Sequence, residues 1–450
     1  MKITFVSGKK VGVIGMARSG IAAANLARSL GARVLVSEMR KKAQCREAAK
    51  LLRPGILTEF GGHTPLLLES DLIIKSPGVP PGAPVLKNIQ RKKIPLWSEI
   101  EFALHSVSPR LLAAITGTNG KTTTTALVGE LFRQSGPNTI VGGNIGAPLA
   151  TLAQGIDART TVVLEMSSYQ LEDSPAFHPQ IAAVLNITPD HMEHHATMRR
   201  YTDAKAGIFR NQTAADFCVL NYDDPRTKRL ASRCPAQVIF FSRKKALARG
   251  VYCRGGRIVV AFGGMKFTLD ARLKIPGLHN VENVLAAVAM AAAAGVKPSV
   301  VERVIGSFPG VEHRIEFVAG INGVKYYNDS KGTNVDSTRV ALESFVQPVW
   351  LILGGRDKGS PYEPLRKLIE DKVCGVLLIG EAADNIRRGL SGAAAFYDCV
   401  TLARAVRTAK RYAKSGDIVL LSPACASFDQ FKDFEDRGRT FKQLVRSFKK

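Results

Sequence analysis

The stretch Ala114-Ile-Thr-Gly-Thr-Asn-Gly-Lys-Thr-Thr123 decides the fold. The apolar run Leu111 to Ile115 reads as a buried strand, and Gly117 and Gly120 read as a turn. Lys121-Thr122 then open a helical pattern whose apolar positions, Ala126, Leu127, Leu131 and Phe132, continue to a stop at Gly136. Strand, glycine loop, Lys-Thr and helix are the parts of a triphosphate cradle. Glycines let loop amides close around phosphate oxygens, and the helix N-terminus adds partial positive charge. Lys121 supplies a full charge, and the Thr122 hydroxyl can reach a phosphate-bound Mg²⁺. The two glycines are closer together than in the common P-loop, so the loop is a shorter variant.

Working outward, the same alternation recurs on both sides. Val11-Gly-Val-Ile-Gly15 is a strand, Gly15-Met-Ala-Arg-Ser-Gly20 opens an alanine-rich helix, and Arg33 to Val36 is the next strand, with Glu38 just beyond it. This is a Rossmann-like start. Ala17 stands where a second fingerprint glycine would approach a pyrophosphate, which points to another nucleotide or to a purely structural α/β domain. Leu72 to Ile74 is a further strand, followed by the tight turn Ser76-Pro77-Gly78.

Downstream of the loop, Thr161 to Leu164 ends in Glu165, and Ile181 to Leu185 leads to Asn186 and then Asp190-His191. Ligands of open parallel sheets bind beyond the carboxyl ends of the strands, so Lys121-Thr122, Glu165 and His191 should converge on one divalent-ion site. His194 and His195 are weaker candidates beside it. Lys205, in the helical stretch Tyr201 to Phe209, reads on pattern alone as a surface lysine. His279, Asn280 and Asn283 open an alanine-rich helix, where they can meet a base edge or merely cap it. In a third array Arg314, Lys331 and Lys358 follow strand ends and can clamp a phosphate and a carboxylate, with surface ion pairs as the alternative. The whole reads as α/β with parallel sheets in three domains: a Rossmann-like domain over 1–108, a central P-loop-type mononucleotide domain over 109–310 and a C-terminal Rossmann-like domain over 311–450.

Composition bounds the function. The chain has 450 residues, 45% of them hydrophobic, enough for several cores. Seven cysteines without a Cys-x-x-Cys pair fit reduced thiols and a cytoplasmic protein. The longest apolar run, Val284 to Ala294, is too short to span a bilayer, and the N-terminus lacks the pattern of a signal peptide. Lys and Arg total 63 against 38 Asp and Glu, a formal net charge of +25. These charges are scattered and not interleaved with aromatic residues. A positive field that draws polyanionic small molecules is therefore expected, not a nucleic-acid partner.

Taken together, Gly117-Thr-Asn-Gly-Lys-Thr122, Glu165-Met-Ser-Ser168, Asn186 to His191, His279-Asn280 with Asn283, His313-Arg314 and Asn328-Asp-Ser-Lys331 resemble the muramyl ligase family, the ATP-dependent amino-acid-adding enzymes of peptidoglycan synthesis. The likeness runs from about Val11 to Arg439. Within the family the members that add D-glutamate to UDP-N-acetylmuramoyl-L-alanine look closest. They share the Rossmann-like start, Gly142-Gly-Asn-Ile-Gly146 and the segment Leu421-Ser-Pro-Ala-Cys-Ala-Ser-Phe-Asp-Gln-Phe431. The Asp-Asn-Pro-Arg motif expected of a diamino-acid ligase does not occur. Two departures stand out: Ala17 replaces a frequent glycine, and Phe428 a frequent leucine.

The resemblance implies an acyl-phosphate mechanism and a set of roles. Gly117, Thr118, Asn119, Gly120, Lys121, Thr122 and Thr123 would cradle ATP, with Asn280, Asn283, Arg314 and Asp329. Thr122, Glu165, His191 and a carbamylated Lys205 would hold two Mg²⁺ ions. Lys121, His191, Lys205 and Lys331 would carry the catalysis. Ala17, Arg18, Ser19, Glu38, Arg40, Ser76, Pro77, Gly78, Asn144, Ser167 and Gln170 would bind the UDP substrate. Thr333, Lys358, Ser427, Phe428 and Phe434 would bind D-glutamate. A monomer without nucleic-acid partner or membrane insertion is expected.

Overall fold

The computed structural model describes residues 5–136, 138–270, 273–275, 277–357, 359 and 361–449. It contains three sheets. The first is wholly parallel, built from β1 (Lys10–Ile14), β2 (Arg33–Glu38), β3 (Leu57–Phe60), β4 (Leu72–Lys75) and β5 (Leu96–Ser98), in the order β3-β2-β1-β4-β5. The second comprises β6 (Leu111–Thr116), β7 (Thr139–Gly143), β8 (Thr161–Glu165), β9 (Ile181–Val184), β10 (Phe217–Asn221), β11 (Gln237–Ser242), β12 (Gly250–Arg254), β13 (Arg257–Phe262) and β14 (Met265–Asp270). Its order is β14-β13-β12-β11-β10-β9-β6-β8-β7. The third comprises β15 (Glu316–Ile321), β16 (Val324–Asn328), β17 (Val349–Gly354), β18 (Val373–Ile379), β19 (Phe396–Val400) and β20 (Ile418–Leu421), in the order β15-β16-β20-β17-β18-β19. The expected α/β class with parallel sheets is therefore what the chain adopts.

The chain divides into two compact units. One holds residues 1–271 and 282–306, with the first two sheets; the other holds 272–281 and 307–450, with the third. In the larger unit one apolar core runs through both sheets, from Val13 and Val36 through Ile100 and Phe102 to Leu149, Leu164 and Val184. A buried ion pair, Lys75 to Asp173 at 2.7 Å, and the hydrogen bond from Ser98 N to Asp173 O tie the first sheet to the second. The smaller unit packs apolar layers on both faces of its sheet.

Two antiparallel additions modify the parallel expectation. Strands β12, β13 and β14 form a meander on the edge of the second sheet, and β15 pairs antiparallel with β16 in the third. The turns of the meander are Gly255-Gly256 and Gly263-Gly264, all four with positive φ. Two-residue hairpins need that backbone hand, and glycine adopts it without steric cost. A parallel crossover needs a dozen residues or more; two residues allow only reversal.

Strand register positions the site. Ile115 at the end of β6 lies beside Glu165 at the end of β8, and Glu165 lies beside Gly143 at the end of β7. On the other side Thr116 pairs with Val184 of β9. Four carboxyl ends thus finish level, and the loops that follow them meet above one edge.

Candidate nucleotide and metal site

Helix α1 (Lys121–Ser135) starts at Gly120, whose φ of 83° is the left-handed region. A Cβ on Gly120 would sit 2.1 Å from Oδ1 of Asn283, so only glycine lets the two approach. The loop is anchored from β9: Thr118 N donates to Asn186 O at 2.9 Å, Asn119 N to Asn186 Oδ1 at 2.8 Å, and Thr188 N to Thr118 Oγ1 at 3.1 Å. Thr122 and Thr123 fall in the first helical turn.

Two lysines meet on this loop. Lys121 Nζ donates to Gly117 O at 2.8 Å and to Thr118 O at 2.6 Å. Lys205 Nζ donates to the same Gly117 O at 2.7 Å. The surface placement that pattern alone gave Lys205 is wrong: it is 2% exposed. It sits on helix α2 (Met198–Ala206), 4.6 Å from the centroid of Tyr201, one helical turn before it. Burial, then the charge of Lys121, pushes its pKa well below the ordinary lysine value, against the pull of Asp190 and Glu165.

Glu165 is 2% exposed at the end of β8. Its Oε1 accepts from Asn144 Nδ2 at 3.0 Å, while its buried Oε2 has no hydrogen-bond partner among the described residues. A buried carboxylate oxygen left in that state is costly unless a cation meets it. The donor set is therefore suited to Mg²⁺. His191 begins the short helix Met192–His195 with φ 55°; it is exposed, 3.6 Å from Asp190 and 3.5 Å from Glu193, with the Tyr169 ring against its edge.

The first sheet presents a second constellation. The helix Arg18–Ser29 begins after Ala17, and Arg18 Nη2 donates to Gly146 O at 2.5 Å. Glu38 is already engaged by protein, accepting from Met16 N at 2.7 Å, Arg40 N at 3.0 Å and Arg40 Nη2 at 2.9 Å. Burial alone would raise its pKa, but the Arg40 hydrogen bonds and the Met16 amide outweigh it and hold it at about 2. Ser19 is half-buried, Ser76 is buried with its hydroxyl on Gly15 O, and Pro77-Gly78 continue the turn after β4. Ser167 and Gln170 cap the Ser168–Glu172 helix and bond each other at 2.9 Å.

In the smaller unit, Asp329 follows β16 in full burial. It accepts from Ser422 Oγ at 2.7 Å and lies 3.7 Å from Arg314. Burial raises its pKa to about 6, with Arg314 opposing. Lys331 Nζ lies 5.7 Å from the Phe434 ring centroid, and Thr333 follows within the same turn. Ser427 is buried and Phe428 is 62% exposed. His279 and Asn280 fall in the first turn of the Leu278–Ala293 helix. Lys358 lies outside the described residues.

Arg437 lies outside the motifs read from the sequence. It is fully buried and donates to Ser330 Oγ and Ser330 O at 3.0 and 2.9 Å and to the carbonyls of Ala426 and Cys425, both at 3.2 Å. It thereby fastens the segments that carry Lys331 and Ser427. Its signal was its place at i, with Phe441 at i+4 and Val445 at i+8, on the buried stripe of the Phe434–Arg446 helix.

A short glycine-lysine phosphate loop on a parallel sheet, with a cation-ready carboxylate beside it, defines a nucleotide-using α/β protein. Residues 115–291 match the Mur ligase middle domain and residues 313–425 the Mur ligase, glutamate ligase domain. The chain belongs to the Mur ligase family. It is 46% identical over 445 residues to the UDP-N-acetylmuramoylalanine–D-glutamate ligase of Koribacter versatilis and 44% identical over 449 residues to that of Myxococcus xanthus, each covering 98% of both chains. Among solved structures, the UDP-N-acetylmuramate-alanine ligase MurC of Thermotoga maritima matches with a TM-score of 0.62 at 20% identity, over 98% of this chain and all of that one. The MurF ligase of the same organism in complex with ADP matches with 0.60 at 16%, over 99% and 97%. These two similarities show the fold.

Proposed function

We propose that the protein forms an amide between UDP-N-acetylmuramoyl-L-alanine and D-glutamate at the expense of ATP, a step of peptidoglycan precursor synthesis. A carboxylate is a poor acylating agent at neutral pH. Its oxygen attacks the γ-phosphorus of ATP, ADP leaves, and the acyl phosphate carries a good leaving group. The free amine of D-glutamate then attacks the acyl carbon; phosphate departs and the nitrogen loses a proton. Positioning and charge neutralisation supply most of such catalysis.

The observation that carries this reading is the gathering around one phosphate loop of Lys121, Lys205 and a Glu165 oxygen that has no hydrogen-bond partner among the described residues, in a chain 46% identical to a D-glutamate ligase. Lys121 and the loop amides bind the β- and γ-phosphates. Thr122, Glu165, His191 and Lys205 as its carbamate would hold Mg²⁺, which would neutralise phosphate charge. A lysine with a depressed pKa keeps a free amine, the form that adds CO₂. Asn280, Asn283, Arg314, Asp329 and Lys331 are assigned to the nucleotide. Arg18, Ser19, Arg40, the Ser76 turn, Asn144, Ser167 and Gln170 are assigned to the UDP substrate, and Thr333, Lys358, Ser427, Phe428 and Phe434 to the amino acid. The proposal includes the three domain ranges given above, a cytoplasmic setting and a monomer; among the described residues no helix is long and apolar enough to cross a membrane.

The test is one incubation with Mg²⁺, ATP, UDP-N-acetylmuramoyl-L-alanine and, in turn, D-glutamate, L-glutamate and meso-diaminopimelate, read by mass. A single new amide with D-glutamate is expected. A product with another amino acid only, or phosphate release without either substrate, overturns the assignment.

A further inference from the structure

Beside the phosphate loop, Glu172, His194 and His195 turn one ligand atom each toward a common point. Nε2 of His194 is 2.7 Å from Glu172 Oε2, and Nδ1 of His195 is 3.4 Å from Glu172 Oε1. The three candidate ligand atoms lie within 4.8 Å of one another. Glu172 ends the Ser168–Glu172 helix, and both histidines end the Met192–His195 helix. None of the three belongs to the machinery assigned above.

The decisive atom is His195 Nδ1. His195 is 2% exposed, its Nε2 is 2.9 Å from Ser168 Oγ, and its buried Nδ1 has no hydrogen-bond partner among the described residues. When Ser168 Oγ accepts the Nε2 proton, Nδ1 presents a lone pair to a carboxylate oxygen. Two lone pairs facing each other repel, and a cation between them turns the contact into attraction. An outer hydrogen bond that fixes the tautomer of a ligating imidazole is the usual partner of a metal-bound histidine. The rings are already held: Tyr169 packs 4.1 Å from His194 and 5.7 Å from His195, and Tyr201 lies 5.0 Å from His195. Glu172 is 35% exposed and gives a route from solvent.

We propose that Glu172, His194 and His195 bind a divalent cation of borderline softness, such as Zn²⁺, Co²⁺ or Ni²⁺, at a site separate from the Mg²⁺ position at Glu165. Two imidazole nitrogens and one carboxylate form a three-ligand set that leaves one position open to water. Mg²⁺ prefers oxygen donors and dehydrates reluctantly, so it competes poorly here.

The test uses the full chain, stripped with chelator and held in excess Mg²⁺ without nucleotide, then titrated with Co²⁺. Visible d–d absorption that saturates at one ion per chain is expected in the wild type and in His191→Ala. Glu172→Gln and His194→Gln should lose it, and Ser168→Ala should weaken binding by about 10–100-fold. Absence of the bands in the wild type overturns the site. So does their loss in His191→Ala with retention in Glu172→Gln. As a second measurement, Zn²⁺ should raise the thermal midpoint of the wild type but not of a folded Glu172→Gln; equal rises in both overturn the assignment.

Discussion

Two ammonium groups cannot comfortably share one carbonyl oxygen, yet Lys121 and Lys205 both donate to Gly117 O. Burial, and then the neighbouring charge of Lys121, drive the pKa of Lys205 well down. That shift favours the free amine of Lys205, while Lys121 stands half-buried at the start of the helix that follows the phosphate loop. Lys121→Ala should lower turnover by roughly 10²–10³, the scale for one lost charge-stabilising donor; near-wild-type turnover would remove it from the mechanism. Lys205→Ala should be almost inactive in steady-state assays and regain part of its rate with added short carboxylic acids, which can replace a carbamate. Full activity without addition would reduce Lys205 to a packing residue.

At the scale of elements, the helix Glu99–Leu104 carries two carboxylates into the interior. Glu99 accepts from Ala150 N at 2.5 Å, and its other oxygen has no hydrogen-bond partner among the described residues. Glu101 accepts from Ala176 N at 2.8 Å. Burial raises both to about 7, with the amide bonds opposing. A carboxyl whose folded pKa lies above its unfolded value favours folding when protonated. The fold should therefore gain stability as pH falls from about 8 toward about 5, and lose it as pH rises through 7. Thermal midpoints across that range should show this slope in the wild type and a flatter one in Glu99→Gln; parallel slopes would mean Glu99 stays ionised in the fold. Arg437→Ala, on the Phe434–Arg446 helix, should cost about 2–5 kcal/mol in denaturant titration, because it leaves several buried carbonyls unpaired.

These elements also show what could be read beforehand. The phosphate loop was legible because glycines, lysine and helix onset are local in sequence. Glu165 was legible because it ends an apolar strand. The burial of Lys205 was not legible from pattern, and only the family resemblance singled the residue out, since Met198–Ala206 is mostly polar and its buried face is created by a loop far away in sequence. The one local hint was Tyr201 four residues earlier, which bonds Thr118 Oγ1 at 3.2 Å. The β12–β14 meander escaped although its Gly-Gly turns were visible, because the alternation of strand and helix elsewhere favoured crossovers. Arg437 escaped because a charged residue on an apolar stripe reads as an exception until its carbonyl partners are seen.

At the scale of the whole molecule the net charge of +25 calls for an effect, since it is carried by lysines and arginines spread along the chain. Both ATP and a UDP-sugar substrate are polyanions, and a broadly positive surface raises their encounter rate and local concentration. Such a field is long-ranged at low salt and short-ranged at high salt: the Debye length is about 30 Å at 0.01 M and about 8 Å at 0.15 M. Between those conditions kcat/KM for the UDP substrate should fall by about tenfold or more. The turnover number at saturating substrate should stay nearly constant, because the chemistry occurs among groups held close together, well within a Debye length. For D-glutamate, a small ligand with much less charge, the fall should be far shallower. A kcat/KM indifferent to salt for all three substrates would mean that the surface charge plays no part in capture. A parallel fall in kcat would place the salt-sensitive step inside the site instead.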